Sequence, residues 1–251
     1  MNARPADAVD PRPSADIVIP VYNEERSLPL CLERLLPFCR ETLTASYRWR
    51  VVIADNGSID RTYQAATELW LRHPGEVGVL HLGQKGRGRA LKRAWAESDA
   101  DIRAYMDVDL STDISHIPDL LGAIAGGHDV ATGSRLRRGA RTTRSVKREF
   151  VSRAYNLLIK AVFLSRFSDA QCGFKAISRR TAESLLPLVR DNAWFFDTEL
   201  LLIAERNGYR IADFAVTWEE DADTRVRIIS TAWEDIKGLT RLRFKGRPRV
   251  G

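Results

Sequence analysis

Two aspartates one residue apart, Asp107 and Asp109, close a short apolar segment, Ile102 to Met106. The segment is brief, largely apolar and preceded by the polar stretch Ser98 to Asp101, which predicts a buried strand. Carboxylates at the carboxyl end of a parallel strand point into the crevice where open α/β sheets bind ligands. Two such groups repel each other unless a positive charge lies between them. A hard divalent cation carrying phosphate oxygens meets that need, because Mg²⁺ takes one or two carboxylates and completes its shell with substrate phosphate and water. A solvated turn uses the same residues, and the pair alone does not separate the two readings.

Other polar turns close strand-like segments in the same way. Ile19-Pro20-Val21-Tyr22-Asn23-Glu24-Glu25 ends the first and Asp55-Asn56-Gly57-Ser58-Ile59-Asp60 the second. Parallel strands bring both to the edge that carries Asp107 and Asp109. Gly57 and Asp60 read as turn and helix-cap residues. Asp55 reads differently, since an acid at a strand's carboxyl end can accept nucleobase N–H groups or bond ribose hydroxyls. Gln84-Lys85-Gly86-Arg87-Gly88-Arg89 follows a third strand and opens a helix. Its glycines admit a ligand close to the backbone, and Lys85 at a helix N-terminus favours phosphate. A solvated basic turn is the equal alternative there, as the loop matches neither a Walker A sequence nor G-x-G-x-x-G.

The elements that must position these groups alternate. Strands are expected at Asp16–Pro20, Trp49–Ala54, Val77–Leu82, Ile102–Met106 and Val130–Thr132, with helices between them at Ser27–Leu43, Arg61–Arg72, Arg89–Glu97 and Ile117–Ala125. Such βαβ alternation predicts an α/β fold with a mainly parallel sheet flanked by helices. Beyond Gly133 come a basic loop at Gly139–Ser145, a helix over Val146–Phe163, a strand near Phe174–Ile177, helices near Arg179–Leu186 and Thr198–Asn207, and a strand over Arg210–Trp218. Thr231 with Glu234 suggests a capping box opening a last helix. The chain divides into a disordered leader (1–15), a single domain (16–242) and a basic tail (243–251).

With 251 residues, 44% hydrophobic and 29% charged, the composition is that of a folded globular chain. Cys31 and Cys39 share a helix about 12 Å apart along its axis, too far for a disulfide, and with Cys172 they form no zinc spacing. A reducing, cytoplasmic setting follows. No apolar run is long enough to span a bilayer. The net charge of +6 is concentrated: eight Lys/Arg against one acid between Arg135 and Arg153, and six more without an acid from Lys237 onward. Such clusters favour a polyanionic surface. His73, His81, His116 and His128 form no ligand pattern and read as surface or turn residues. Trp194, Phe195 and Phe196 read as groove lining or core.

The order IPVYNEE, ADNGSID, QKGRG, MDVDLSTD, GSR, CGFK and WFFDTELL resembles the family 2 glycosyltransferases of the GT-A fold, above all the dolichyl- and other polyprenyl-phosphate glucose and mannose synthases. The motifs extend from Asp16 to Trp218. The resemblance implies that Pro20, Tyr22 and Glu24 line the nucleotide, that Asp55 reads the base and that Lys85 sits beside the pocket. It implies that Asp107 and Asp109 hold Mg²⁺ or Mn²⁺ against the donor diphosphate. Arg135, Arg148 and Ser152 match the positions that grip an acceptor phosphate. Asp169, Gln171 and Lys175 lie in a stretch closing over the sugar, and Asp197 and Glu199 in a later loop facing it. Two departures stand out: Asn56 replaces the second acid of the family's D-D-G-S turn, and Ser111 stands where some relatives place a metal-binding Gln.

What the resemblance implies is an inverting, metal-dependent transfer of hexose from a nucleotide-diphosphate sugar to polyprenyl phosphate. UDP-glucose is the favoured donor and GDP-mannose the alternative. A related transferase with a soluble acceptor is the competing reading. A non-enzymatic basic binding module is the third, disfavoured because the basic clusters lack the interleaved aromatics of single-strand binders; nucleic acid is not an expected partner. Val146–Phe163 carries Val151, Ala154, Tyr155, Leu158 and Val162 at near-helical spacing. Such a stripe usually faces a core, but beside so basic a loop it also suits an interfacial helix on anionic lipid. The enzyme is accordingly expected at the inner face of the membrane, held peripherally, with a separate anchoring protein as a further candidate partner.

Overall fold

A computed structural model of the chain describes residues 10–220 and 228–250, without the side chains of residues 147–148 and 228–232. The elements in order are β1 (Ser14–Val21), α1 (Ser27–Thr42), β2 (Arg48–Asn56), α2 (Thr62–Arg72), β3 (Val77–Leu82), α3 (Arg87–Glu97), β4 (Ile102–Met106), α4 (Ile117–Ala125), β5 (Val130–Ser134), β6 (Arg141–Thr143), α5 (Val146–Phe163), β7 (Phe174–Ser178), α6 (Arg179–Leu185), α7 (Phe196–Arg206), β8 (Ile211–Ala215), β9 (Thr217–Glu219) and α8 (Ile228–Phe244). Seven strands form one sheet in the order β3-β2-β1-β4-β7-β5-β8, and β6 pairs with β9 in a small second sheet.

Alternation along β1 explains the layering. Ile17, Ile19 and Val21 face α1, α2 and α4, while Val18 joins Tyr105 and Ala54 beneath α3, α6 and α7. Both faces are covered, so the central strands are mostly apolar, with buried Asp16, Arg103 and Lys175 as exceptions. In α1, Leu28, Cys31, Leu32, Leu35, Leu36 and Cys39 recur at helical spacing and are all buried. All three cysteines are free and buried, and burial pushes each thiol up to about 12.

All strands of the large sheet run parallel to their neighbours except β7, which lies antiparallel between β4 and β5. That reversal matters for the site. Phe174 opens β7 opposite Met106, the last residue of β4, so the chain entering β7 shares an edge with the carboxyl ends of β4 and β5.

Several local expectations need correction. The expected strand over Arg210–Trp218 is broken at buried Val216: β8 stays in the large sheet while β9 leaves to pair with β6. The basic loop at Gly139–Ser145 contains β6, whose partner is distant in sequence and whose Arg-Thr-Thr carries no apolar signal. Ser27, at the start of α1, makes no cap bond; its hydroxyl donates to Glu24, at 2.8 Å. Asp60 does accept the Thr62 N–H, at 3.0 Å. Asp197 and Glu199 lie in the first turn of α7 and are buried, not in a loop. Phe195 and Phe196 are core, and Trp194 is partly exposed. The leader's first nine residues and the Thr231 side chain lie outside the described residues; Ser14 and Ala15 already belong to β1, and α8 opens three residues before Thr231.

The helix α5 turns its apolar side chains outward. Ile159 and Phe163 pack inward, whereas Val151, Ala154, Leu158 and Val162 of the expected stripe are exposed, along with Val146, Phe150 and Leu157. No helix among the described residues is long and apolar enough to cross a membrane.

The last helix docks through a glycine. A Cβ on Gly238 of α8 would run into the Phe195 ring, so no larger residue fits without moving one of them. Gly238→Leu is expected to destabilise the fold by about 1–3 kcal/mol through overpacking. Gly122→Ala, at an exposed helical position with nothing within 4 Å of its new Cβ, is expected to stabilise by about 0.5–1 kcal/mol. Urea unfolding midpoints of the two variants check both signs.

Candidate active site

Asp107 is the first residue beyond β4, and its carboxylate meets Arg87, the opening residue of α3, at 2.7 Å. The other arm of the same guanidinium reaches Asp197 of α7, also at 2.7 Å. Asp197 further contacts the Lys175 ammonium of β7 at 3.2 Å and accepts the Tyr105 hydroxyl of β4. Lys175 also donates to the Cys172 carbonyl at 2.5 Å. Two acids and two bases thus neutralise each other. Arg87 is 9% exposed, Asp197 and Lys175 less, while Asp107 keeps 41% of its side chain open. Burial alone would raise the pKa of Asp197, but Lys175 and Arg87 outweigh it and hold the carboxyl below its ordinary value. Burial likewise opposes the charge on Arg87, and Asp107 and Asp197 more than offset it. Burial and then Asp197 push the Tyr105 hydroxyl well up, so it stays a donor.

The space beside Asp107 is kept clear by Gly173. A Cβ there would overlap the Asp107 carboxylate, so the chain entering β7 forms a cradle for that group. Asp109 follows in an exposed turn in which Leu110 takes the left-handed region at φ 54° and Asp109 accepts the Ser111 N–H at 2.9 Å. No group of three or more His, Cys, Asp or Glu among the described residues could enclose a metal. Two accessible carboxylates at one strand end are nonetheless the hard oxygen donors that Mg²⁺ or Mn²⁺ takes when phosphate and water complete the shell, so the residues fit such an ion.

The turns after β1 and β2 are sewn together. Val21 pairs with Asp55, the Asn23 N–H donates to Ser58 at 3.0 Å, and the Glu24 N–H donates to Thr62 at 2.7 Å. Pro20 is buried within β1, opposite Ala54. Asp55 is fully buried; it accepts the Ser58 N–H at 3.2 Å and meets His81 Nδ1 at 2.7 Å. His81 is half exposed and its ring lies 4.4 Å from Tyr63. Lys85 stands 3.8 Å above the Tyr22 ring. Asn56, the family departure, accepts the Gly86 N–H and so ties the Lys85–Arg87 loop to β2. That loop is held from the far side by Gly88 and Arg89 N–H bonds to Ala193 and Asn192 carbonyls, at 3.2 and 3.1 Å.

The second half of the site lies beyond β5. Arg135 grips Asp169 by two side-chain bonds of 2.7 and 3.0 Å and is largely buried, facing the Trp218 ring at 5.5 Å. Burial alone would raise the pKa of Asp169, but Arg135 and then Lys175 bring it down to about 2. Ser152 of α5 has a buried hydroxyl with no hydrogen-bond partner among the described residues. The Arg148 side chain lies outside the described residues. Gln171 donates to Asp235 of α8 at 2.7 Å, and Arg241 of α8 reaches Glu199 at 2.9 Å, so α8 is bonded to the segment beside the site.

The structure therefore brings Pro20, Tyr22, Glu24, Asp55, Lys85, Asp107 and Asp109 to the carboxyl ends of β1, β2 and β4 and the segments that follow β3 and β4. Lys175 it places beneath that edge, wholly buried, with its ammonium committed to Asp197 and a carbonyl. Sequence reasoning passed over Arg87, although its place between two glycines of the QKGRG loop offered a signal. It also passed over the His81 contact with Asp55, which has no local signal. His116 is structural, its Nε2 accepting the Thr217 N–H at 3.0 Å.

A mainly parallel sheet flanked by helices, with paired acids at the end of β4, is the architecture of the GT-A glycosyltransferases. The chain belongs to glycosyl transferase family 2, whose model matches residues 16–186. It is 37% identical over 238 residues to glycosyltransferase AglD of Haloferax volcanii, across 94% of this chain and 37% of that protein. It is 30% identical to the dolichyl-phosphate beta-glucosyltransferase of Drosophila melanogaster, across 81% of this chain and 66% of that one. The chain thus spans little more than a third of the former relative and about two thirds of the latter. Among solved structures it is similar to glucosyl-3-phosphoglycerate synthase of Mycobacterium tuberculosis, crystallised with Mn²⁺, UDP-glucose and phosphoglyceric acid, at a TM-score of 0.69 and 18% identity over 94% of this chain and 81% of that one.

Asp235 supplies a pH test of the site's outer wall. Burial, and then Asp191 and Glu234, push its carboxyl from an ordinary value of 3.8 up to about 7, against the Gln171 bond. Between those values the folded protein holds a proton that the unfolded chain releases, so this group's contribution is fullest below pH 3.8 and is lost as pH rises through about 7. Asp235→Asn is expected to be the more stable form at pH 8 and to flatten that part of the stability profile. Urea midpoints at pH 5 and pH 8 for both proteins check it.

Proposed function

We propose that the chain transfers a hexose from a nucleotide-diphosphate sugar, UDP-glucose first, to the phosphate of a polyprenyl phosphate, with inversion at the anomeric carbon. The observation that carries the reading is the shared edge: Tyr22, Asp55, Asp107 and Asp109, which would serve the base, the diphosphate and the metal, close β1, β2 and β4, and Arg135 follows β5 across the reversed strand β7. The dolichyl-phosphate glucosyltransferases among the relatives support the acceptor and the sugar.

Asp55 would accept an imide N–H of the base once the half-exposed His81 ring moves off its buried carboxylate, and Tyr22 with Lys85 would flank the nucleotide. Asp107 and Asp109 would hold Mg²⁺ or Mn²⁺, which when bound neutralises the departing diphosphate. Arg135, Arg148 and Ser152 would position the acceptor phosphate. A phosphate monoester has its second pKa near ~6 and is already ionised at neutral pH, so it needs placement more than a general base. Its oxygen attacks the anomeric carbon as the bond to the diphosphate oxygen breaks, and the nucleoside diphosphate leaves. For Arg135 this means sharing its guanidinium between Asp169 and the incoming phosphate, a task its planar fork suits.

The acceptor is a membrane lipid, and two neighbouring helices suit a bilayer surface. On α5, Val146, Phe150, Leu157 and, just past its end, Leu164 follow a helical repeat and are exposed, Phe150 by 73%; on α8, Trp233, Ile236 and Phe244 do the same, Trp233 by 59%. Arg153, Lys160, Lys237, Arg243 and Lys245 are exposed on the same two helices and the tail. Apolar stripes flanked by basic residues are how interfacial helices lie on anionic lipid. The enzyme would then work peripherally at the inner membrane face.

The first test is transfer from radiolabelled nucleotide sugars to polyprenyl phosphate, with Mg²⁺ or Mn²⁺ and with chelator. Label in the organic phase only when metal is present is the expected result, and Asp109→Asn is expected to reduce it by about 10²–10³-fold. Label that stays aqueous with a soluble phosphorylated acceptor would instead favour the soluble-acceptor transferase. Flotation with phosphatidylglycerol vesicles is expected to fall sharply for Phe150→Glu with Trp233→Glu; undiminished flotation would remove the two-helix surface from the reading.

A further inference from the structure

The sheet ends at β8, and beyond it lies a cleft of about 1290 Å³. Every residue from Arg210 to Ala215 lines it, between Pro118 and Ala123 of α4 on one side and Phe163 and Phe167 on the other. It is a slot along an open strand edge. No described strand pairs with β8 on that side.

The ladder to β5 sets which main-chain groups are free. The Val130 N–H donates to the Arg210 carbonyl and the Val216 N–H to the Ser134 carbonyl, so the even-numbered residues of this strand bond β5. Residues 211, 213 and 215 then turn their N–H and carbonyl groups toward the slot. An unpaired edge of this kind is a template for another strand, and folded proteins usually blunt or cover it. Here it is flanked by arginines. Arg137, Arg166, Arg206, Arg210 and Arg247 all line the cleft. Arg137 reaches Asp213 at 3.7 Å. The guanidinium groups of Arg166, Arg206, Arg210 and Arg247 make no ion pair or hydrogen bond with any described residue. The acids of the slot are already engaged: Asp213 accepts from Ser168, Glu205 from the Arg166 N–H, and Asp119 lies 3.5 Å from His116. Burial and then the neighbouring Arg206 work against the charge on Arg247, Glu205 favours it, and the guanidinium lies 5.4 Å from the Phe163 ring centre.

Three occupants can be compared. A free anion would answer the arginines but leave the strand edge unpaired, and a bilayer offers no matching row of main-chain groups. A second copy paired through β8 would set arginines against arginines across a two-fold axis, because such an interface is self-complementary. An extended acidic segment satisfies both the edge and the charge.

We propose that β8 accepts an added strand from an acidic, extended segment of a partner protein, whose main chain pairs with Ile211, Asp213 and Ala215 and whose carboxylates meet the unpaired arginines. This is β-strand addition, in which main-chain bonds give affinity and side chains give selectivity. The slot shares Leu164 with the lipid-facing stripe of α5, but none of its residues belongs to the candidate active site, so sugar transfer and peptide binding are tested separately.

The test uses a fluorescein-labelled peptide of alternating glutamate and valine, of the length of β8, and follows its anisotropy with the full chain. Two double variants are compared: Arg206→Glu with Arg247→Glu, and Ile211→Pro with Ala215→Pro. Proline is compatible with an edge strand where the lost N–H faced outward, so the second pair spares the β5 ladder. Saturable binding that both pairs weaken by at least about tenfold, with nucleotide-sugar turnover unchanged, is the expected result. The same peptide N-methylated on alternate residues separates strand pairing from bulk attraction without altering the protein. Equal affinity for the N-methylated peptide, no binding by the unmodified chain, or displacement by an oligonucleotide as readily as by unlabelled peptide would each overturn the proposal.

Discussion

The guanidinium of Arg87 sits where two carboxylates would otherwise face each other across a nearly dry space. Asp197 and Lys175 have almost no contact with solvent, so each must be neutralised within the protein. Taking away one partner of such a buried pair typically costs about 3–5 kcal/mol, because the other charge is stranded. That requirement locks four segments together: the loop opening α3, the end of β4, the interior of β7 and the first turn of α7. Asp107 is therefore held in position by the fold, half in the network and half open. Groups fixed in this way need little rearrangement when charge develops beside them, which is the physical content of preorganisation.

The reversed strand β7 extends the same arrangement across the sheet. Were it parallel, the chain entering it would emerge at the opposite edge, and the Cys172-Gly173 backbone could not lie against Asp107. Antiparallel pairing places that backbone between the ends of β4 and β5, with Gly173 leaving room for the carboxylate. The break at Val216 serves the neighbouring side, since it carries Trp218 out of the large sheet to cover Arg135.

Much of this was legible from the sequence. Apolar segments ending in Asp55, in Asp107 and Asp109, and in the Lys85 loop place those residues on one edge as soon as the alternation is read as parallel, and the α/β class follows from the same pattern. Partnerships between distant residues were not legible. Arg87 with Asp197, His81 with Asp55, and Gln171 with Asp235 each join positions far apart in the chain, and nothing local in either partner marks the other. β6 escaped notice for the same reason. In α5 the periodicity was real, but a period says only that two faces differ, not which one meets the core.

The three thiols have a practical side. Cys31, Cys39 and Cys172 are enclosed and, with their pKa values near 12, almost never ionised at neutral pH. Alkylating reagents act on thiolate, so the native chain should be nearly silent toward maleimides while folded. A single cysteine introduced at an outward position of α5, α8 or the β8 slot would be the one reactive handle. Fluorophores or spin labels could then be attached at chosen points without first removing the natural cysteines from the core.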